Sequence, residues 1–325
     1  MRCRALARAL RRRGAEVVFF CRRLPVWLSK ELESDGFRHV PLGDDDDEIE
    51  MFLECLQREG DSFDWLVADH YGWHEQHESA AASYVRRLMV IDDLADRRHC
   101  CQLLLDQNDV SQSGERYLGR VPPTARLLLG SRYALLREEF PETRAFVRRR
   151  DGFVRTLLVC FGGTDPTNET AKTLEALDFG PFAELNVHVV IGRSHSHLDL
   201  IAEKCRMNPR IRLHIQTNQM AKLMAESDLA LCAGGTMTWE RFCMGLPGIV
   251  ISVADNQIEL ARTSQRFGVD WYLGESAAVD AEQIRRALLK AMDSPERIRQ
   301  GQRIAMNRVD GLGAERVADI MFGKA

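Results

Sequence analysis

Four stretches set glycines and polar side chains directly behind an apolar run, the arrangement in which a strand ends in a ligand-facing loop. In "LLVCFGGTDPTNET" the run gives way to Gly162 and Gly163, then Thr164 and Asp165, with a helix expected to start near residue 166 or 167. Glycine permits a tight turn, and exposed amides at a helix start receive an anion or hydroxyl groups. Glycine also serves strand-to-helix turns for geometry alone, so both roles stay open here. In "SDLALCAGGTMTWERFCMGLPGIV" the pair Gly234 and Gly235 brings backbone close to a ligand, Thr236 or Thr238 is expected to cap a helix running to residue 244, and Glu240 falls in its first turn. Amides and hydroxyls there suit a phosphate, and a carboxylate accepting from two hydroxyls suits a ribose. A carboxylate at that place also favours the helix dipole without any ligand. The combined spacing favours a nucleotide.

The other two loops are less specific. "IVISVADNQIELA" ends a strand at residue 253 and continues with Asp255, Asn256 and Gln257, three side chains able to hold a sugar or simply to cap the following helix. "WLVADHYGWHEQHESAA" places Asp69, His70 and Tyr71 behind a strand, with His70, His74 and His77 at helical spacing. Three histidines on one face would form a metal site, but Gly72 interrupts the helix and no acidic or cysteine partner has a metal spacing. The stretch reads as a substrate loop followed by a solvated helix, and no metal or cofactor is expected. Absence of a P-loop, a G-x-S-x-G elbow and a well-formed G-x-G-x-x-G weighs against ATP-dependent chemistry, serine hydrolysis and dinucleotide redox.

These loops need strands to hold them. Strand-like runs occur at residues 17–20, 65–68, 88–91, 103–105, 156–160, 187–191, 211–214, 229–232 and 249–253, with amphipathic stretches such as 198–205 and 284–292 between them. Apolar strands alternating with helices predict parallel sheets covered on both faces, an α/β class of two doubly wound, Rossmann-like domains. The boundary is expected near residues 150–153, between domains 1–152 and 153–325, with ligands in the cleft at the carboxyl ends of the strands.

The 325 residues suffice for two domains. Charged residues at 28%, hydrophobic residues at 45% and a net charge of −4 describe a folded protein and disfavour nucleic acid as a partner. The runs Arg11 to Arg13 and Arg148 to Arg150 read as solvated surface, and the acidic run 44–48 as the solvated start of a helix. The nine cysteines show no repeated C-x-x-C and read as reduced thiols. With neither a secretory segment nor a membrane-length apolar run, the expected compartment is the cytoplasm, with no membrane partner.

Taken together, the loops resemble the UDP-sugar hydrolases of pseudaminic acid biosynthesis, which remove UDP from UDP-2,4-diacetamido-2,4,6-trideoxy-β-L-altropyranose. The stretches "MRCRALARAL", "DHYGWHEQHE", "VIDDLADRRHCCQLLLDQN", "LLLGSRYALLREEF" and the glycine and "ADNQIELA" loops above carry the resemblance in the family's order. It implies the glycosyltransferase-B architecture, similar to the N-acetylglucosaminyltransferase that completes lipid II. It further implies UDP on the C-terminal domain, with Gly234, Gly235 and Thr236 at the diphosphate, Glu240 at the ribose, and Tyr71 and Asn256 beside the sugar. Gly162, Gly163, Thr164, Asp165, Asp255 and Gln257 complete the expected substrate contacts. Water would displace UDP with inversion, which requires a proton acceptor. In the family a first strand and a G-x-G-H loop bearing that histidine precede a segment like "MRC", which here stands at Met1. The expectation is an N-terminally shortened chain that lacks this histidine and is impaired in catalysis by its loss, with His70, on a loop facing the same cleft, as the candidate substitute base. Two rivals stand beside this reading: a UDP-sugar glycosyltransferase, for which the short stretch 22–30 is the one membrane-facing candidate, and a UDP-sugar binder without catalysis.

Overall fold

Apolar runs of three to six residues, bounded by glycine or polar residues, form the strands of the computed structural model, which describes residues 1–22, 24–43, 48–60, 63–109, 113–178 and 180–324. Every strand pair among them is parallel. The chain divides into two compact units, Met1–Arg137 with Leu312–Ala325, and Glu138–Gly311. The α/β class is the one expected. Residues 44–47 of the acidic run lie outside the described residues, and the helix behind them spans Glu48–Glu59. Among the described residues no helix is long and apolar enough to cross a membrane, and all nine cysteines are free thiols.

In the first unit β1 (Val18–Cys21) pairs β2 (Arg38–Pro41), while β3 (Leu66–Ala68), β4 (Leu88–Ile91), β5 (Leu103–Asp106) and β6 (Arg126–Leu129) form a separate sheet in that order. Both sheets share core layers. Phe20 of β1 packs in the layer that holds Ala68, Leu88 and Leu104, and Val17 in the one that holds Leu6, Leu10 and Leu105. Helix Arg2–Arg12 has Met1 at its N-cap and no side-chain capping bond. It is held instead by its apolar face, where Leu6, Ala9 and Leu10 meet Ala314, Val317 and Ala318.

That contact corrects the expected boundary. Helix Gly313–Met321 returns to the first unit, and Arg13, 13% exposed at its side chain, ties it down through Glu315 and Asp319. The crossing is tight: a Cβ on Gly313 would lie 2.2 Å from the Ala134 carbonyl oxygen. At the other boundary, residues 138–152 pack with the second unit. Arg144 donates to the carbonyls of Cys243 and Met306, at 2.7 and 2.6 Å. Arg150, expected on the surface, is 1% exposed and donates to the carbonyls of Met224, Ser227, Met244 and Gly245. Burial without a carboxylate in hydrogen-bond reach pushes its pKa down to about 9.

The second unit holds one sheet of β7 (Thr156–Cys160), β8 (Asn186–Ile191), β9 (Ile211–Ile215), β10 (Leu229–Ala233), β11 (Gly248–Ser252) and β12 (Trp271–Glu275), ordered β12-β11-β10-β7-β8-β9. The three central strands β7, β10 and β11 are buried almost throughout, which is why they read as continuous apolar runs. Their carboxyl ends sit side by side, with Cys232 beside Cys160 and Ala233 beside Ile251.

Candidate functional site

Three of the four chemistry-bearing loops therefore leave neighbouring strands at one edge of the second unit. Behind β10, Gly234 is fixed by crowding: a Cβ there would lie 3.2 to 3.3 Å from Ala261, Val250 and the Gln257 carbonyl. A Cβ on Gly235 would lie 3.6 Å from Gln257 Nε2. The glycine loop and the loop behind β11 thus touch. Gln257 Oε1 accepts from the Val253 amide at 3.1 Å, so this side chain holds its own loop in shape. Asp255 and Asn256 are exposed in the single turn Asp255–Gln257 that precedes helix Ile258–Arg266.

Behind β7, Gly162 at φ +100°, Gly163 and Thr164 are exposed. Asp165 is not: it is 1% exposed at φ +38°, and its oxygens accept from the Glu169 and Thr170 amides at 3.0 and 2.8 Å. Its carboxylate faces inward and caps helix Glu169–Leu177, which begins two to three residues later than expected. The buried His195, in the loop behind β8, brings Nε2 to 3.5 Å from the same carboxylate. The two loops meet where Gly192 donates to the Gly163 carbonyl at 3.0 Å, and a Cβ on Gly192 would lie 2.5 Å from that oxygen. Gly192 and His195 went unrecognised in the sequence because their partners, Gly163 and Asp165, are 29 and 30 residues distant in the chain.

Helix Met237–Cys243 follows the glycine loop. Thr236 occupies its N-cap position without a side-chain capping bond, and Thr238 is buried within it, so neither caps as expected. Glu240 lies half-buried in the first turn. Burial pushes the Cys160 thiol at the end of β7 up to about 12, and the Glu240 carboxylate adds to that rise. The helix is anchored by Arg241, fully buried, whose guanidinium grips Asp270 at 2.9 and 2.7 Å and donates to the Leu246 carbonyl. Asp270 also accepts from the Gly248 amide at 2.8 Å. Burial would lower the Arg241 pKa, and Asp270 outweighs it and keeps the cation charged.

In the first unit, the residues behind β3 and β4 form a second cluster. Arg2 grips Asp69 at 3.0 and 2.6 Å and reaches Asp93 at 3.2 Å. Burial would raise the Asp69 pKa, and Arg2 holds it below the usual value. Tyr71, 54% exposed, places its hydroxyl 3.4 Å from Asp93. His70 is exposed, but Nδ1 accepts from the Gly72 amide at 3.0 Å, which puts the proton on Nε2 in the neutral ring. His74 and His77 form a capping box at the start of helix Glu75–Ala81, and both are half-buried. Among the described residues no group of three histidine, cysteine or acidic side chains is arranged to hold a metal.

Beneath this cluster lies a buried polar network. His99 Nδ1 bonds Glu78 at 2.6 Å, and its Nε2 stands 3.8 Å from Asp92. The Tyr117 hydroxyl lies 3.1 Å from both Asp92 and Asp106. Asp92 also accepts from the Ala95 amide at 2.8 Å, so the network fixes the turn that carries Asp93.

With this geometry in place, comparison with known proteins is informative. The Bacillus subtilis (strain 168) spore coat polysaccharide biosynthesis protein SpsG is 31% identical over 206 residues, 62% of this chain and 59% of that protein. A UDP-2,4-diacetamido-2,4,6-trideoxy-beta-L-altropyranose hydrolase of Campylobacter jejuni is 26% identical over 199 residues, 61% of this chain and 69% of the hydrolase. The match to SpsG thus spans less than two thirds of that relative. The crystal structure of MurG from Acinetobacter baumannii superposes with a TM-score of 0.68 at 11% identity, covering 99% of this chain and 95% of MurG, a likeness of fold. The fold is that of the two-domain glycosyltransferase-B proteins. Residues 156–319, half of the chain, match the glycosyltransferase family 28 C-terminal domain, and the chain belongs to that family.

Proposed function

We propose that this chain binds a UDP-sugar on its second unit and hydrolyses it to UDP and the free sugar, with inversion at the anomeric carbon, the sugar being a diacetamido-trideoxy-hexose. The observation that carries the reading is the meeting of the Gly234–Gly235 loop with Gln257 on neighbouring parallel strands, with Glu240 in the next turn. Backbone amides at residues 234–236 then face the diphosphate, whose charge grows as UDP departs, and Glu240 accepts from the ribose hydroxyls. Gly162, Gly163 and Thr164 flank the nucleotide, and Asp165 acts only by shaping their loop. Asn256, Asp255 and Tyr71 are assigned to the sugar. His70 takes the proton of the attacking water once Nδ1 releases the Gly72 amide, a loss of one hydrogen bond of about 1 kcal/mol. The relative named as a hydrolase supports water as acceptor.

The test is UDP release from UDP-2,4-diacetamido-2,4,6-trideoxy-β-L-altropyranose without any acceptor, with the anomer formed read by proton NMR. Release of UDP with the inverted free sugar is the expected result. Release only after an acceptor alcohol is added would make the chain a transferase, the reading that the glycosyltransferase fold favours. UDP binding without release in either case would make it a binder.

A further inference from the structure

At the end of the second unit's sheet opposite these loops, where β12 begins, a cavity of about 570 Å³ is lined by Gln265, Trp271, Tyr272, Leu273, Lys290 and Arg297. Its two charged lining residues are both cations, and no carboxylate lines it among the described residues. Arg297 lies 4.1 Å over the Trp271 ring and donates to the Asp270 carbonyl at 2.6 Å, while its buried Nε has no partner. Asp270, the nearby acid, has both carboxylate oxygens engaged by Arg241. Arg297 is therefore a partly desolvated cation without a carboxylate of its own, and burial lowers its pKa. Trp271 is 5% exposed, and its indole Nε1 also has no acceptor. Buried donors are nearly always satisfied, and these two lack an acceptor in the wall of a cavity whose charged lining residues are cations.

We propose that this cavity binds a small molecule bearing an oxyanion, a phosphate ester or a carboxylate, with the anionic group held by Lys290 and Arg297. The volume falls within the range of small-molecule sites, roughly 300–1,000 Å³. Lys290 comes from helix Ala281–Met292, Arg297 from helix Pro295–Arg308 and Gln265 from helix Ile258–Arg266. A bound anion would thus join three helices on the edge strand, away from the loops assigned to UDP.

The experiment follows the Trp271 indole N–H resonance in the ¹⁵N-labelled full chain, identified by its absence in Trp271→Phe. Inorganic phosphate, glucose 6-phosphate and acetate are titrated at constant ionic strength to about 50 mM, a range that captures millimolar affinity. A saturable shift is expected, weakened about tenfold or more in Lys290→Gln and in Arg297→Gln, as loss of one charge-assisted contact implies. Response to the phosphates alone identifies a phosphate ester, and response to acetate alone a carboxylate. No saturable shift with any probe, or equal affinity in the variants, overturns the proposal. Should Arg297→Gln not fold, Lys290→Gln decides. UDP binding, measured on the same samples, is expected to stay unchanged, which separates this outcome from that of the proposed hydrolysis.

Discussion

Replacing His99 by glutamine tests whether the buried network under the first unit's cluster is ionic. Burial alone would lower the imidazole pKa, but Asp92 and Glu78 outweigh it and hold His99 at about 9. The folded protein therefore keeps a proton that the unfolded chain, with an ordinary histidine at 6.5, releases. The associated stability is complete below pH 6.5, declines as pH rises, and is gone above about 9. The gap between 6.5 and about 9 corresponds to about 3 kcal/mol. The same interaction holds Asp92 at about 2 against burial, so it is counted once. Urea unfolding followed by circular dichroism from about pH 6 to 9.5 should show that decline in the parent chain. In H99Q the Glu78 carboxylate stays buried without a cation, which costs on the order of 3–5 kcal/mol at low pH. The gap between the two proteins should then narrow by about 3 kcal/mol toward high pH. Parallel stability profiles across this range would refute the ionic network.

Asp106 shifts in the opposite sense for a carboxyl: burial raises it to about 6, so its ionisation destabilises the fold as pH rises through that value. Asp106→Asn is expected to gain roughly 1–2 kcal/mol at pH 8 and nothing at pH 4, after allowing for the lost Arg116 pair, as thermal melts at the two pH values would show. Asp270→Ala leaves Arg241 buried and unpaired, and should cost about 3–5 kcal/mol and abolish UDP binding. Combining it with Arg241→Met should recover stability, measured by urea unfolding, more than UDP affinity, measured by calorimetry. Gly192→Ala drives a Cβ against the Gly163 carbonyl and is expected to weaken UDP binding about tenfold with a loss of roughly 1–3 kcal/mol in stability; unchanged UDP affinity would remove the post-β8 loop from the site.

Legibility in this sequence follows how local each physical cause is. The central strands β7, β10 and β11 are covered on both faces, so burial writes an unbroken apolar run and each could be read directly. Strands β2, β6 and β12 could not: Arg38 and Arg126 open the first two, Gly274 interrupts the third, and each lies at a sheet edge with only partial cover. Gly162 was legible for the same reason, since its positive φ behind a strand needs glycine whatever else is near.

Arg150 marks where such reading fails. In the chain it is the last of three consecutive arginines, and a basic run is ordinarily solvated. What buries it is a ring of four carbonyls from residues 74 to 95 positions away, at helix ends that lack intrahelical partners there. No property of residues 148–150 encodes that ring. The return of helix Gly313–Met321 to the first unit has the same character, because an amphipathic helix states that one face is apolar but not which core receives it. Asp165 differs from them, since its partners, the Glu169 and Thr170 amides, are only four and five residues on; it was misread because its type and position behind a glycine pair fit a ligand contact equally well. Side chains chosen for a distant backbone partner look, in one dimension, like side chains chosen for a ligand. Gly234 stands between the two cases: its place behind a strand can be read locally, whereas the crowding by Ala261, Val250 and the Gln257 carbonyl that requires a glycine there comes from elements later in the chain.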